Sequence, residues 1–116
     1  MGLNIESIRE YCLAKPAVQE TFPFDENTLV FKVFDKMFLL IRLDDPSYFS
    51  VKCDPKQAVL LREKYTEIRP GYHLNKKHWN TVCIIGRFND TQLLEMIDHS
   101  YQLVLQGIPK SKNQDS

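Results

Sequence analysis

Two consecutive apolar segments, residues 29–34 and 37–43, most strongly restrict the folds open to this chain. In the first segment Leu29, Phe31 and Val33 occupy alternate positions, and mostly apolar side chains fill the positions between them. Because successive side chains of a strand point to opposite faces, this composition is typical of a strand covered on both sides. The sequence therefore predicts a central β-hairpin within a larger sheet.

The second segment is predicted to form the partner strand of that hairpin. Its apolar side chains are expected to divide between the two faces, with Phe38 and Leu40 on one face and Met37, Leu39 and Ile41 on the other. The dipeptide Asp35-Lys36 is predicted to form the turn, although Asn-Gly or Asp-Gly is the more favourable chemistry for a two-residue turn.

Capping residues mark three helices. Asn4 begins a helix predicted over residues 4–15, which ends before Pro16 because the residue preceding a proline avoids the helical conformation. Asp54, followed directly by a proline, begins a second helix. Asn89, with a glutamine three residues later, begins a third.

Further strands are predicted over residues 48–53 and on both sides of a loop around residues 71–77, whereas residues 19–26 are predicted to be a connector. The predicted element order is α-β-β-β-α-β-β-α. Short turns between consecutive strands favour antiparallel pairing, so the predicted class is a two-layer α+β fold, an antiparallel sheet with helices packed on it. We expect residues 1–109 to form a single domain and the polar residues 110–116 to form a disordered tail.

The charges of the chain are balanced, since 15 basic and 15 acidic residues give a formal net charge of zero. This argues against a protein that coats DNA without specificity, because such binding comes largely from phosphate neutralisation. A local basic surface remains compatible with zero net charge, because the local potential governs binding. Lys76, Lys77 and His78 form the one tight basic cluster of the sequence.

No set of residues identifies a reaction. Cys12, Cys53 and Cys83 form no C-x-x-C pair and are expected to be buried or half-buried thiols of a reducing cytoplasm. Neither a nucleophile elbow nor a P-loop occurs. His73 and His78 have no evident third partner with which to hold a metal ion. The sequence therefore predicts a protein that is not an enzyme and has no metal or cofactor.

The apolar segments are too short for a membrane protein. None approaches the roughly 20 residues that span a bilayer. The N-terminus also lacks the basic and then apolar layout of a signal peptide. We therefore expect a cytoplasmic protein without membrane contact, and a monomer.

Three segments carry the most specific motifs of the chain. They are Ser-Val-Lys-Cys-Asp-Pro at residues 50–55, Pro-Gly-Tyr-His-Leu-Asn-Lys-Lys-His-Trp-Asn-Thr at residues 70–81, and Ser-Tyr at residues 100–101. In these motifs, and from the first helix to Pro109, the chain resembles the MmcQ/YjbR family of small bacterial proteins. The resemblance implies a two-layer fold of the secretion-chaperone-like or frataxin-like kind, and DNA binding with a double-wing feature. The turn predicted at Asp35-Lys36 departs from a more glycine-rich turn in that family.

The basic and aromatic residues within positions 69–80 form the predicted nucleic-acid-binding surface. Cationic side chains there are suited to phosphates, amides to base edges or sugars, and an indole ring to stacking on an unpaired base. The tryptophan has an alternative role, which is to anchor its strand in the core. The candidate residues are Arg69, Asn75, Lys76, Lys77, His78, Trp79 and Asn80.

Aromatic residues elsewhere in the chain support a second hypothesis. Phe22, Phe24, Tyr48 and Phe49 are candidates to line a groove for an apolar peptide or protein partner, or to close one end of the sheet. In the first case the protein is a peptide-binding module with no nucleic-acid role. The sequence leaves DNA and a protein as the two candidate partners.

Overall fold

The computed structural model describes residues 2–108. These residues form one six-stranded antiparallel sheet and three helices, in the order α-β-β-β-β-α-β-β-α. The elements are α1 (Ile5–Leu13), β1 (Val18–Thr21), β2 (Thr28–Val33), β3 (Lys36–Arg42), β4 (Tyr48–Lys52), α2 (Pro55–Lys64), β5 (Ile68–Pro70), β6 (Trp79–Cys83) and α3 (Asp90–Gln106). The strands lie in the order β1-β2-β3-β4-β6-β5. The predicted α+β class is confirmed, whereas the tail predicted at residues 110–116 lies outside the described residues.

The strand β1 is the one element that the predicted order lacks. It lies partly within the predicted connector and pairs with β2 at the edge of the sheet, from Val18 opposite Val33 to Thr21 opposite Val30. Its sequence, Val-Gln-Glu-Thr, buries no side chain fully. An edge strand held mainly by main-chain hydrogen bonds shows no apolar alternation, and such a strand escapes a search based on periodicity.

The turn between β2 and β3 lies one residue earlier than predicted. Its two central residues are Phe34 and Asp35, with φ angles of 48° and 66°, and Lys36 already belongs to β3. Positive φ at both positions is the geometry of the type I′ turn that fits the twist of a two-residue hairpin. Glycine and asparagine adopt such angles most readily. The dipeptide Phe-Asp therefore did not indicate this turn in the sequence.

A β-bulge changes the predicted faces of β3. Phe31 pairs with Leu39, but Lys32 pairs with Met37, which leaves Phe38 as the extra residue. Phe38 therefore lies on the same side of the sheet as Leu39, in the main core. The predicted pairing of Phe38 with Leu40 on one face was wrong, because a bulge shifts the alternation of side chains by one position.

The helix starts match the predicted caps. The Asn4 side chain accepts a hydrogen bond from the Ser7 backbone N–H at 2.9 Å, and the Ser7 hydroxyl accepts one from the Asn4 N–H in return. Asp54 accepts from the backbone N–H of Gln57, and α3 begins with the predicted capping box of Asn89. These bonds satisfy N–H groups that have no partner within the helix itself.

The three helices pack on one face of the sheet, which we call the helix-side face. There α3 crosses β2, β3 and β4, while α2 lies at the end formed by β5 and β6. Apolar side chains from alternate strand positions meet the buried sides of the helices and form the main core. The largest fully buried side chains of this core are Phe31, Phe38, Phe49, Ile8, Leu39, Ile41, Leu93 and Ile97.

Ser100 of α3 joins the helix layer to the sheet at the bulge. Its hydroxyl donates a hydrogen bond to the carbonyl oxygen of Phe38 and accepts one, 2.8 Å long, from the backbone N–H of Lys52. The ladder between β3 and β4 runs from Ile41 opposite Phe49 to Leu39 opposite Val51, and so ends just before these two groups. The hydroxyl therefore takes the place of a ladder partner for two main-chain groups at the end of the pairing.

The opposite face of the sheet, which we call the open face, carries a smaller apolar cluster. Val30, Leu40 and Trp79 are buried there, with Met37 and Leu74 packed at the margin. None of the three helices contributes to this cluster. Part of the open face is covered instead by the segment between β5 and β6.

We predict that Ser100→Ala lowers the free energy of unfolding by about 2 kcal/mol, because it leaves a carbonyl and an N–H without their partner. Urea denaturation of the two proteins measures the difference. Ser47→Ala, at a partly exposed position in the turn before β4, is the control and is expected to change stability by less than about 0.5 kcal/mol. Equal losses in the two variants would contradict the bridging role.

The hairpin turn gives a prediction of opposite sign. Asp35→Gly is expected to raise the free energy of unfolding by about 0.5 kcal/mol, because glycine accepts a positive φ without steric cost. Asp35→Ala keeps a Cβ at the same positive φ but removes the carboxylate, which can form local hydrogen bonds. This variant is therefore expected to lower the free energy of unfolding by about 1 kcal/mol. Thermal denaturation of both variants tests the turn geometry, which is wrong if glycine proves the less stable of the two.

Candidate functional site on the open face of the sheet

A groove of about 1020 Å³ lies on the open face, between the strand surface and the segment that joins β5 to β6. We call it the open-face groove. Leu40, Ser50 and Thr81 from three adjacent strands lie along its floor. Aromatic and charged side chains from the surrounding loops and strand ends form its walls. It is larger than a second cavity of about 240 Å³ on the helix-side face, which is lined by Cys53, Gln57 and His99 among others.

Two hydroxyl groups make the floor partly polar. Ser50 and Thr81 are paired across β4 and β6, and their hydroxyl oxygens lie 2.8 Å apart. The Thr81 oxygen also accepts a hydrogen bond from the backbone N–H of Tyr72 at 3.0 Å. Both hydroxyls are therefore satisfied within the protein, and the contact fixes the main chain of Tyr72 over the sheet.

The segment of residues 71–78, the 71–78 loop, is held close to the sheet by glycine. The Gly71 N–H donates to the carbonyl oxygen of Trp79 at 2.9 Å. A Cβ atom at this position would lie 2.6 Å from the Cβ of Trp79, which is closer than real side chains approach. Only glycine permits this approach without a shift of the backbone.

Asparagine and arginine side chains fix the rest of the loop. Asn75 accepts a hydrogen bond from the backbone N–H of Lys77 at 2.9 Å, and its own carbonyl accepts from the Trp79 N–H at 3.0 Å. Arg62 of α2 donates to the carbonyl oxygen of Lys76 at 2.7 Å, and the Lys76 ammonium donates to Gly71 at 3.1 Å. The loop is thus a defined wall of the groove, held largely by bonds to its main chain.

Two guanidinium groups lie against aromatic rings of the groove. The Arg69 guanidinium is 4.4 Å from the ring centre of Tyr48, and the Arg42 guanidinium is 5.1 Å from that of Tyr72. Such contacts hold each cation and each ring in a defined orientation. Tyr72 is 53% exposed and Phe24 is 61% exposed, so both rings present apolar surface to a ligand.

The charges of the groove are unevenly distributed. Arg42 is paired with Asp44 at 2.9 Å, whereas neither Arg69 nor Lys76 forms a salt bridge with any described residue. Asp25 lines the opposite side, where a backbone N–H donated by Asn27 holds the pKa of its carboxyl below the usual value. Positive charge is therefore concentrated beside β5 and the 71–78 loop, and negative charge beside the start of β2.

The predicted nucleic-acid-binding residues separate into exposed and buried groups. Arg69 and Lys76 line the groove. Asn75 and Lys77 are exposed on the loop, and His78 is half-buried. These five residues remain accessible to a partner to different degrees.

Trp79 and Asn80 are buried. Trp79 is 7% exposed and belongs to the apolar cluster beneath the loop, which agrees with the alternative that it anchors its strand. Asn80 is 2% exposed, donates to the Ala58 carbonyl at 3.4 Å and accepts from Arg62 at 3.3 Å. Its side chain points to the helix-side face, so the structure brings neither residue to the surface of the groove.

The structure adds residues that were assigned to the other hypothesis or to no site. Phe24 and Tyr48, predicted as part of a peptide groove, line the same cavity as Arg69, and Arg42 joins them. Phe49, from the same aromatic set, is 1% exposed in the main core. Sequence reasoning missed this convergence because it depends on the strand order, in which β4 lies between β3 and β6.

Two of the cysteines are buried, and the described residues contain no metal-binding group of side chains. Burial raises the pKa of the Cys12 thiol to about 12 and that of Cys53 to about 11, which suppresses the reactive thiolate. His73 and His78 join no group of three metal-ligating side chains among the residues described. Between residues 2 and 108, no helix has the length and apolar character needed to cross a membrane.

Comparisons with known proteins identify relatives along nearly the whole chain. The sequence model of the YjbR family matches residues 13–103. The Escherichia coli (strain K12) protein YjbR is 33% identical over 111 residues, which cover 95% of this chain and 94% of the relative. The protein YbdF of Escherichia coli O157:H7 is 34% identical over 106 residues, covering 90% of this chain and 87% of the relative.

Solved structures show the same architecture. A crystal structure of a Deinococcus radiodurans protein with domain DUF419 has a TM-score of 0.88 and 41% sequence identity, and the match covers 96% of this chain and 86% of that one. A Pseudomonas syringae protein has a TM-score of 0.74 at 25% identity, with coverage of 87% and 98%. The chain therefore belongs to the YjbR family.

Proposed function

We propose that this protein binds nucleic acid, with DNA as the first candidate, in the open-face groove. The observation that carries the proposal is the combination of unpaired cations and exposed aromatic rings along one concave surface. Arg69 and Lys76 supply positive charge, and Tyr72 and Phe24 supply ring surface. In this proposal the protein acts as a cytoplasmic monomer and does not catalyse a reaction.

The cations at one side of the groove are suited to phosphate. Arg69 is oriented by its contact with Tyr48, and Lys76 is held by its bond to Gly71, so each loses less side-chain freedom on binding. Neither is neutralised by a carboxylate among the described residues. Two such contacts give a modest affinity that falls with salt, consistent with a chain whose net charge is zero.

The exposed residues of the 71–78 loop extend the cationic side. Lys77 and His78 follow Lys76 directly, and Asn75 precedes it on the same turn. In the proposal these side chains make peripheral contacts to the phosphate and sugar backbone, which position a ligand without reading its sequence. Their rank below Arg69 and Lys76 follows from their position outside the groove lining.

A peptide ligand is the second candidate, because apolar side chains also line the groove. Phe24 and Tyr48 stand on its walls and Leu40 on its floor, which offers apolar surface to an extended segment. A peptide held this way would bind with little dependence on salt, since its affinity would come from apolar burial. Recovery of one protein partner, with no nucleic acid retained at physiological salt, would favour this candidate.

We predict that Arg69→Ala combined with Lys76→Ala weakens DNA binding on the order of tenfold at low salt, because two phosphate contacts are lost. The slope of log affinity against log salt is expected to become less steep by about 2. Fluorescence anisotropy of a labelled oligonucleotide over a salt series measures both quantities.

Lys56→Ala combined with Lys64→Ala is the matched control for this experiment. It removes the same charge from α2, on the other face of the sheet. We expect the control to retain the affinity and the slope of the original protein. Equal weakening by both pairs would mean that binding depends on total charge alone, and the groove would then be the wrong site.

A further inference from the structure

The exposed aromatic rings of the open-face groove lie in the walls of a concavity. Tyr72 and Phe24 border the cavity above a floor of strand residues that includes Leu40 and Thr81. In a duplex the bases are stacked inside a convex rod, so rings in the walls of a groove would meet only phosphates and sugars. An unpaired base, by contrast, exposes both of its faces and can enter a concave site.

We infer that the ligand of the open-face groove is single-stranded nucleic acid, with unpaired bases stacked on Tyr72 and Phe24. This inference rests on the proposed function and specifies the form of nucleic acid that the groove accepts. Stacking on aromatic rings tolerates any base, because every base has an aromatic face.

The ring contacts already present favour stacking on Tyr72. One guanidinium, that of Arg42, lies 5.1 Å from its ring centre, and the His73 ring approaches it edge-on at 4.1 Å. These neighbours fix the ring while about half of the side chain stays exposed. A base that stacks on this ring therefore meets a surface that is already ordered, which lowers the entropic cost of binding.

The size of the groove agrees with a short segment of single-stranded nucleic acid. Its volume of about 1020 Å³ slightly exceeds the range, roughly 300–1,000 Å³, that is typical of sites for one drug-sized ligand. Such a space is large enough for a few nucleotides of single-stranded nucleic acid.

The uneven distribution of charge in the groove orients the bound single strand of nucleic acid. Arg69 lies on β5 and Lys76 on the 71–78 loop, whereas the carboxylates of the groove lie before β2, at Asp25, and in the turn before β4, at Asp45. Phosphates are repelled by the carboxylates, which can instead accept hydrogen bonds from the amino groups of bases. The sugar-phosphate backbone of the single-stranded nucleic acid therefore runs along β5 and the 71–78 loop. Its bases point across the sheet toward Phe24.

Three ligands test this inference on the unmodified protein. They are a labelled single-stranded oligonucleotide, the duplex of the same sequence, and a single strand of equal length with abasic sites, all measured by fluorescence anisotropy at low salt. The abasic strand keeps the phosphates and removes the stacking surface. We expect the complete single strand to bind about tenfold more tightly than either of the others.

Two variants test whether the rings of Tyr72 and Phe24 cause the preference for the complete single strand. Tyr72→Leu combined with Phe24→Leu is expected to weaken single-strand binding about tenfold and to leave abasic binding unchanged. Phe22→Leu is the matched control, since Phe22 is 47% exposed, lies two residues from Phe24 and is outside the groove lining. We expect it to bind like the original protein.

The outcomes separate the inference from the proposed function. If duplex, single strand and abasic strand bind equally and lose affinity with Arg69→Ala and Lys76→Ala, the nucleic-acid function stands and the single-strand inference is wrong. If none of the three ligands binds, the proposed function fails and the inference fails with it. If Phe22→Leu weakens binding as much as the ring variant, stacking in the groove is excluded.

Discussion

The hydrogen bonds of Ser100 are the contact on which the arrangement of the two layers depends. A bulge in the pairing of β2 with β3 places Phe38 in the main core. The ladder between β3 and β4 ends beside Phe38, and the serine hydroxyl satisfies the two main-chain groups at that point. Because α3 supplies this hydroxyl, the helix is held in one position along the strands. The bulge, the core and the helix layer therefore specify one another.

The helices pack on one face of the sheet and leave much of the other face uncovered. Only a small apolar cluster around Trp79 covers part of the open face, and the remainder of that surface forms the floor of the groove. An antiparallel sheet can expose one face to water in this way, since its hydrogen bonds are satisfied within the sheet. The same asymmetry that builds the core on one side thus leaves a concave surface on the other.

Much of this fold follows from local chemistry that the sequence displays. Asn4, Asp54 and Asn89 cap the helices as predicted, because a capping side chain acts on backbone groups only two or three residues away. The predicted faces of β3 failed at Phe38, since a bulge depends on the register with a partner strand. The strand β1 was missed for a related reason, because pairing at the edge of the sheet and not apolar alternation defines it.

The candidate site was predicted in part. The segment around Lys76 was identified from composition, but composition does not tell which side chains of a strand and its loop face outward. Trp79 and Asn80 proved to be buried on opposite faces of the sheet. Arg42 was not considered, because it is far from Tyr72 in the sequence. The two residues come together only through the order of the strands in the sheet.

The way in which the 71–78 loop is attached has a consequence for how recognition can change. The loop is fastened by the N–H groups of Gly71 and Tyr72 and by the carbonyl of Lys76, which are atoms that every amino acid but proline also provides. At position 72 the outward side chain can therefore be exchanged while the path of the chain is kept. One scaffold of this kind can present different side chains at the groove without a change of fold.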